Sequence, residues 1–265
     1  FKANFFDKKL IIIDSSDKKK ELKNIEKLKA EYCLNILKPP IHSLDGYLGK
    51  LYHKMNMAVE YAIDNNFDYI FFLQEDTQFI RKVLNRDLEN IKKIFTYKNI
   101  IHITSHFVKA FDISVLKNFI YISKDNFYLN KKSSSSDLGI YDLQKIKKIN
   151  FRFQQSETKN DKTLLKYGFN TALLFNPLIN YLPWPISARK YSGKNNNIMI
   201  RVLRFILIFI NDIGTNSGLN PYKYMTEKEF SKMNNRKKNE LPVGELYLNT
   251  LDNLKKPWSF DRVWD

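Results

Sequence analysis

The chain is poor in cysteine and has no long apolar run. Cys33 is the only cysteine in 265 residues, which excludes an internal disulfide and a zinc site built on cysteines and favours a reducing compartment. The longest apolar stretch, Ile198–Ile210, is interrupted by Arg201 and Arg204, so it is too short and too charged to span a bilayer. Residues 1–9 mix aromatic and basic side chains and lack the apolar segment of a signal peptide. We therefore expect a cytoplasmic protein.

Acidic residues are few relative to basic ones. Asp and Glu number 28 against 44 Lys and Arg, giving a formal charge of +16. Such a balance favours an anionic partner, which could be nucleic acid, an anionic membrane surface or a phosphorylated substrate. The composition is otherwise that of a globular protein, with 43% apolar, 14% aromatic and 27% charged residues. At this length we expect one domain with an extension, or two subdomains.

The stretch Tyr69–Phe79 places an apolar run in front of a cluster of acid and amide groups. The run Tyr69–Leu73 is typical of a strand buried on both faces of an α/β sheet. Open α/β sheets bind ligands at the carboxyl edge of such strands, and a divalent cation on a diphosphate takes oxygen ligands. From these residues alone two interpretations stay open: Asp76 binds a cation, or an acidic turn merely ends the strand.

Apolar runs and helical periods alternate along the chain, which predicts an α/β fold with a parallel sheet. The predicted strands are Lys9–Ile13, Glu31–Leu37, Tyr69–Leu73, Ile100–Thr104 and Thr171–Phe175. The predicted helices are Lys18–Lys29, Leu48–Asn65, Arg86–Tyr97, Ile140–Ile149 and Lys159–Tyr167. Residues 111–132 show no regular pattern.

Two further features each allow two interpretations. The segment Leu44–Lys50 carries two glycines before a helix, which suits a phosphate contact or a plain loop. His102 and His106 lie near an apolar run, where they could bind a metal, but packed or hydrogen-bonded histidines are more frequent at such positions.

In their joint order these segments resemble the GT-A fold of nucleotide-sugar glycosyltransferases, in particular the family-2-like bacterial group. The motifs that carry the resemblance are Ile11–Ser16, Gly46–Ala62, Phe72–Asp76, Ser136–Gly139 and Phe151–Pro177. It covers roughly residues 9–177 and implies a Rossmann-like, mostly parallel sheet flanked by helices, with a C-terminal helical extension. The implied organisation is a nucleotide-sugar-binding half at 1–110, an acceptor-binding half at 111–187 and the extension at 188–265.

The resemblance also assigns roles to residues. The residues that it assigns to donor binding are Asp14, Ser15, Gly46, Gly49, Lys50, Asn56, Gln74 and Glu75. Asp76 becomes the ligand of Mn²⁺ or Mg²⁺, and Glu157 becomes the general base, with Asp137 second. Blander interpretations are a helix N-cap for Asp14 and a solvated acid at a helix start for Glu157.

The chain departs from the family pattern in two ways. Gln74 stands where the metal motif usually begins with Asp, so weaker metal dependence is expected. The first strand-like run, Lys9–Ile13, matches what is usually the second strand. We therefore expect either that an upstream strand is missing from this chain or that the fold is a trimmed variant.

The resemblance implies a metal-dependent, inverting transfer of a sugar from a nucleotide diphosphate donor to a hydroxyl of a bacterial surface glycan or lipid-linked acceptor, as in lipopolysaccharide biosynthesis. The stretch Ile198–Ile210 could lie in the interface on the inner face of the cytoplasmic membrane, as a peripheral anchor, or dock on protein. Two alternatives from other classes stay open. A basic nucleic-acid-binding protein would explain the charge, and Gln74 is compatible with a glycosyltransferase-like protein that has lost catalysis.

Overall fold

The chain folds as an α/β protein with a mixed central sheet flanked by helices, which confirms the predicted fold class at that level. The structure, a computed structural model, describes residues 11–13, 19–32, 35–37, 46–74, 77–108, 118–133, 138–154, 156–182 and 222–248.

The strands in chain order are β1 Ile11–Ile13, β2 Asn35–Leu37, β3 Tyr69–Phe72, β4 Thr77–Phe79, β5 Ile100–Thr104, β6 Phe119–Ile122, β7 Phe127–Asn130, β8 Gly139–Asp142, β9 Asn170–Leu174 and β10 Ile179–Tyr181. The helices are α1 Lys19–Tyr32, α2 Gly46–Asp64, α3 Asn85–Phe95, α4 Leu143–Lys148, α5 Glu157–Lys166 and α6 Glu227–Asn234. A 3-10 turn follows at Gly244–Leu246.

The main sheet has the order β3-β8-β5-β9-β7-β6. Only its β5/β9 pair is parallel, and the other neighbouring pairs run antiparallel. The predicted mostly parallel sheet is therefore wrong for this part of the chain. For one of these pairs the reason is a short connection: β6 and β7 form a hairpin whose turn ends at Asn126, where φ is +52°. β1 and β2 form a separate parallel pair.

Several predicted elements need correction. The helix predicted at Ile140–Ile149 is in fact strand β8 followed by α4, because Asp142 ends the strand and caps the helix, its Oδ1 accepting from the Lys145 N–H at 3.0 Å. The irregular segment 111–132 contains the β6/β7 hairpin. Glu31, predicted to begin a strand, lies in α1.

Strand β3 is less buried than its apolar sequence predicts. Tyr69 is 37% exposed and the rest of the strand is half-buried. The prediction of burial on both faces is wrong because β3 is the first strand in the order of the sheet and pairs on one side, with β8. The central strand β5, in contrast, is buried from Ile100 to Ile103, as predicted.

The chain divides into two compact units. Unit 1 comprises Phe1–Leu73, Val83–Thr104 and Asn118–Leu174, and unit 2 comprises Gln74–Lys82, Ser105–Lys117 and Phe175–Asp265. Each unit is therefore assembled from segments that are distant in sequence, so neither can be completed by local contacts alone.

The core of unit 1 forms under α2. Tyr52, Met55, Val59 and Ala62 recur at helical spacing, are buried, and pack with aromatic residues that include Tyr141 and Phe153. The rings of Tyr141 and Phe153 meet edge to face at a centroid distance of 5.3 Å, which is a favourable aromatic geometry. The sequence predicts one apolar face of this helix at Leu51, Met55, Ala58, Val59 and Ala62; the last four are buried and Leu51 is half-buried against the same core, which confirms the face.

Lys145 joins α4 to the end of α3 within unit 1. Its Nζ donates to the carbonyls of Phe95 at 2.6 Å, Tyr97 at 3.1 Å and Ile100 at 2.8 Å, and it lies 3.0 Å from Asp142 Oδ2. A cation is favoured at this position because the last carbonyls of a helix carry partial negative charge and lack intrahelical donors. The Lys145 side chain thus provides a hydrogen-bond donor to three backbone carbonyls between the end of α3 and the start of β5.

Unit 2 is organised around the turn that follows β9. Arg81 donates from Nε to the Pro177 carbonyl and from Nη2 to the Asn176 carbonyl, both at 2.8 Å. Arg236 donates to the Phe175 carbonyl, and its guanidinium lies 3.7 Å from the centroid of the Phe175 ring. Both arginines are buried. The turn at 175–177 is therefore held by guanidinium groups rather than by a ladder of backbone bonds.

Helix α6 lies in the predicted C-terminal extension and packs in unit 2 through Met233, beside Ile80 and Tyr222. Across the described residues, every helix is too short or too polar to serve as a membrane span.

Candidate functional site

The end of β3 leads into a hydrogen-bonded pair, Gln74 and Thr77. The Thr77 N–H and Oγ1 both donate to the Gln74 carbonyl, at 3.1 Å and 2.6 Å, and the Gln74 N–H donates to Thr77 Oγ1 at 3.2 Å. Thr77 then begins β4, which pairs antiparallel with β10 in unit 2. Gln74 and Thr77, which flank Glu75 and Asp76 in the sequence, are thus hydrogen-bonded to each other.

Strand β4 is held in unit 2 through Gln78. Its Nε2 donates to the Tyr222 carbonyl at 3.0 Å, and its Oε1 accepts from the Tyr222 N–H at 2.9 Å. The amide therefore satisfies both backbone groups of one residue, 144 positions away, as a neighbouring strand would. Gln78 was not among the predicted site residues, and no local pattern marks it.

Several predicted site residues lie outside the described part of the chain: Asp14, Ser15, Glu75, Asp76 and Asp137. The basic apolar stretch Ile198–Ile210 lies outside it as well. Their assigned roles stay predictions.

The glycine turn predicted at Leu44–Lys50 is wrong from Gly46 onward. Gly46, Gly49 and Lys50 all belong to α2, which begins at Gly46, although their surroundings are not described. The apolar face of α2 is buried against a large core, and this packing stabilises the helix in spite of the low helix propensity of glycine. Whether the start of α2 contacts the donor stays a prediction.

Asn56, assigned to donor binding, makes reciprocal hydrogen bonds with Phe153. Its Nδ2 donates to the Phe153 carbonyl and its Oδ1 accepts from the Phe153 N–H, both at 2.8 Å. These bonds use one donor and one lone pair of the amide, which leaves one of each by chemistry. The geometry gives Asn56 the role of fixing the backbone before α5.

Asn160 makes the same pair of hydrogen bonds with the backbone of Gln154, the residue after Phe153. Its Oδ1 accepts from the Gln154 N–H at 2.6 Å, and its Nδ2 donates to the Gln154 carbonyl at 3.0 Å. Asn160 is 1% exposed. Phe153 and Gln154 therefore have all their backbone polar groups satisfied by asparagine side chains, an arrangement we call the asparagine clamp. Asn160 was not among the predicted site residues, because it lies among polar residues of α5 with no signal of burial.

The clamp fixes the entry to α5, where Glu157 is the first residue. Ser156 is the N-cap, and its hydroxyl accepts from the Lys159 N–H at 3.4 Å. Glu157 is exposed, and its carboxylate lies where the partial positive charge of the helix N-terminus favours an anion. This position suits both a solvated helix-start acid and a general base.

His102 and His106 are packed and hydrogen-bonded, as the more frequent interpretation predicts. His102 is fully buried, with Nε2 2.7 Å from the Leu138 carbonyl and Nδ1 3.0 Å from Thr171 Oγ1. His106 Nδ1 lies 2.9 Å from the Phe107 carbonyl. Within the described residues no group of three or more His, Cys, Asp or Glu side chains is arranged to bind a metal.

Gly139 permits the close approach of β8 to His102. Its φ is +113°, and a Cβ there would lie 2.5 Å from His102 Nε2 and from the Ile103 carbonyl oxygen. Position 139 begins β8 and pairs with Phe72. It requires glycine for two reasons, the positive φ and the lack of space for a Cβ atom.

The pKa of Tyr97 is raised above its ordinary value. The first cause is its hydrogen bond to Asp125 Oδ2 at 2.7 Å, followed by desolvation and by repulsion between phenolate and carboxylate. Burial is the first cause of a raised pKa for Tyr69, and the Asp142 carboxylate adds to it.

No protein-family model matches the chain, and a search of curated proteins finds none with significant similarity.

Proposed function

We propose that this chain transfers a sugar from a nucleotide diphosphate donor to a hydroxyl of a glycan or lipid-linked acceptor. The observation that carries the proposal is the end of β3: the strand stops at Phe72, and Gln74 is tied to Thr77 on either side of Glu75 and Asp76. Acid and amide groups that follow a sheet strand are the usual ligands of a cation-bound diphosphate.

The donor set at this position fits a hard divalent cation. Gln74, Glu75 and Asp76 offer oxygen atoms, and Mg²⁺ is commonly held by one or two carboxylates together with substrate phosphates. Asp76 would hold Mn²⁺ or Mg²⁺. When bound, such an ion neutralises the charge that gathers on the departing diphosphate.

The acceptor hydroxyl must lose its proton as it attacks the anomeric carbon. In the proposed reaction the new bond joins the acceptor oxygen to that carbon, and the bond to the diphosphate oxygen breaks with its electron pair. The proton passes to a carboxylate on the opposite face of the sugar, which gives inversion. Glu157 is the proposed base, because it is an exposed carboxylate on a backbone fixed by the asparagine clamp.

The test is release of nucleoside diphosphate from a panel of nucleotide sugars, with Mn²⁺ or with chelator. The unmodified chain should hydrolyse or transfer at least one donor. Glu157→Gln should lower turnover by about 100-fold or more, the usual contribution of a general base, while donor affinity stays unchanged.

Glu227→Gln is the matched control, since Glu227 is also an exposed first residue of a helix. Asp76→Asn should remove the dependence on Mn²⁺ together with most activity. Failure to turn over any donor would contradict the proposed function, and full activity in Glu157→Gln would contradict the assignment of the base.

A further inference from the structure

We propose that one end of the main sheet binds the anionic headgroups of a phospholipid membrane. This end, which we call the lysine end, carries Lys98, Lys131, Lys132, Lys162 and Lys166. The inference does not rest on the proposed function, and it concerns a different surface from the stretch Ile198–Ile210.

Backbone hydrogen bonds bring the segments of the lysine end together. The Asn170 N–H donates to the Asn99 carbonyl at 2.7 Å, and the Thr171 N–H donates to the Ser133 carbonyl at 2.8 Å. The segments that follow α3, follow β7 and precede β9 are therefore neighbours. The Ser133 hydroxyl donates to Asp161 Oδ1 at 3.1 Å, which brings α5 to the same end.

The lysines of this end are exposed, and the described structure gives none of them an ion-pair partner. In residues 97–99, 131–133 and 161–168, Asp161 is the only acidic residue. One further carboxylate, Asp125, reaches this end through its 2.7 Å hydrogen bond with the Tyr97 hydroxyl. The five lysines still outnumber these two carboxylates among the described residues, which leaves a local excess of positive charge. Like charges held close together repel one another, so this arrangement gains free energy when an anionic surface approaches.

The chemistry of the lysine end favours a lipid surface over nucleic acid. All its cations are lysines, which act as mobile point charges suited to a diffuse layer of headgroups, whereas arginine is the usual choice for bidentate recognition of phosphate. Tyr167 is 56% exposed beside Lys166, and an exposed tyrosine is typical of a membrane–water interface. Single-stranded nucleic acid is usually bound by several aromatic side chains that stack on successive bases, and the lysine end has one such exposed ring among its described residues.

Co-sedimentation of the 265-residue chain with vesicles tests the inference. The chain should bind vesicles of phosphatidylcholine mixed with phosphatidylglycerol, and it should not bind vesicles of phosphatidylcholine alone. Raising the salt from about 0.1 M to about 1 M shortens the screening length from about 10 Å to about 3 Å and should release it. Free inorganic phosphate at the same ionic strength should not compete, because a single ion does not reproduce the surface potential.

The decisive variant is Lys131→Glu/Lys132→Glu/Lys166→Glu. Each lysine near an anionic surface contributes about fivefold to binding, so the triple variant should lose roughly 100-fold or more in vesicle partitioning. The matched control is Lys228→Glu/Lys237→Glu/Lys238→Glu, which changes the net charge equally at exposed positions of unit 2 and should lose far less. Thermal unfolding should show that both variants fold.

Equal loss in the two triple variants would mean that net charge alone drives binding and would overturn the inference. It would be overturned equally if only Arg201→Glu/Arg204→Glu abolished binding, since that result assigns the membrane contact to Ile198–Ile210. The inference would also be overturned if the chain did not bind vesicles but bound single-stranded DNA, and if the lysine-end variant lost that affinity. The partner of the lysine end would then be nucleic acid.

Discussion

Thr77 closes the chain back onto Gln74 through both its backbone N–H and its hydroxyl. The Oγ1 group donates to the Gln74 carbonyl at 2.6 Å and accepts from the Gln74 N–H at 3.2 Å. A single hydroxyl therefore satisfies both backbone groups of the residue that follows the end of β3 by two positions. The bonds fix Gln74 after the end of β3 and Thr77 at the start of β4.

Thr77→Val should weaken this connection while keeping the branched shape of the side chain. Loss of the hydroxyl removes two hydrogen bonds to half-buried backbone groups, and we expect about 1–2 kcal/mol less stability in urea unfolding. If the proposed function holds, the apparent Kd for Mn²⁺ should also rise, because the described residues that flank Glu75 and Asp76 in the chain are then held less firmly. Thr77→Ser keeps the hydroxyl and should retain most of both properties; a Val variant as stable as the unmodified chain would contradict this role.

The asparagine clamp should be essential for stability. Asn56→Ala leaves the Phe153 N–H and carbonyl without their side-chain partners. Asn160→Ala leaves the Gln154 N–H without its partner, while the Gln154 carbonyl still accepts from the Ser156 N–H at 2.8 Å. We expect each to cost about 2–3 kcal/mol in the free energy of unfolding. Asn65→Ala is the control, because that amide donates to the Tyr61 carbonyl at an exposed position, where a loss under about 0.5 kcal/mol is expected. The clamp would be refuted by equal losses at Asn65 and Asn160.

Lys145 should contribute more to stability than any exposed lysine of α4. Lys145→Met keeps the apolar stem but removes the donor to three carbonyls and leaves Asp142 without its cation. We expect a loss of about 3–4 kcal/mol. Lys147→Met changes the same charge on the same helix at an exposed position and should stay within about 0.5 kcal/mol. Calorimetric unfolding of the two variants measures the difference directly.

Two glycines with positive φ should respond differently to alanine. At Gly139 the new methyl would collide with His102 and the Ile103 carbonyl, so strain and steric overlap add and the expected loss is about 3–5 kcal/mol. At Gly168 φ is +80° and nothing lies within 4 Å of the position that the new methyl would take, so only conformational strain of about 1–2 kcal/mol remains. Similar melting temperatures for Gly139→Ala and Gly168→Ala would contradict the close approach of β8 to His102.

The Tyr97–Asp125 hydrogen bond should stabilise the fold only while the phenol is protonated. Because the folded-state pKa is raised above the unfolded value of 10.0, this contribution is fully present below that pH and is lost as the pH rises through the raised pKa. Tyr97→Phe should therefore be less stable than the unmodified chain near neutral pH, and the two should converge in strong alkali. The difference in ultraviolet absorbance between the two chains should place the ionisation of Tyr97 above its ordinary pKa of 10.0; an ionisation below that value would contradict the hydrogen bond.

Long apolar runs and strong helical periods were sufficient to predict several elements. The runs at Ile100–Thr104 and Thr171–Phe175 indicate buried strands, and the face of α2 indicates the helix over the core, because burial of these side chains dominates any competing local preference. Strand β8 is only four residues long and is followed directly by α4. The apolar residues of the strand and the helix together have helical spacing, which predicts a single helix. The β6/β7 hairpin carries scattered polar residues that mask its alternation.

The direction of the strands and the roles of the polar residues could not be predicted. Whether β3 pairs parallel or antiparallel depends on which segment lies beside it, and its partner β8 is distant along the chain. The motif predicts Asn56 as a donor contact, which stays a prediction, but it does not indicate the backbone partner Phe153, 97 residues away. No local pattern records such a distant backbone partner. The roles of Asp76 and Glu157 stay predictions from the resemblance.

The two arginines that hold the turn after β9 impose an order on how the protein can form during synthesis. The segments of unit 1 have all been synthesised once translation reaches Leu174. The Phe175 carbonyl can be hydrogen-bonded by Arg236 only after the chain has been extended to residue 236. At about 5–20 residues per second, that interval lasts about 3–12 s. A nascent chain of this protein would therefore hold all segments of unit 1 while unit 2 is still incomplete and accessible to chaperones, until Arg236 emerges from the ribosome.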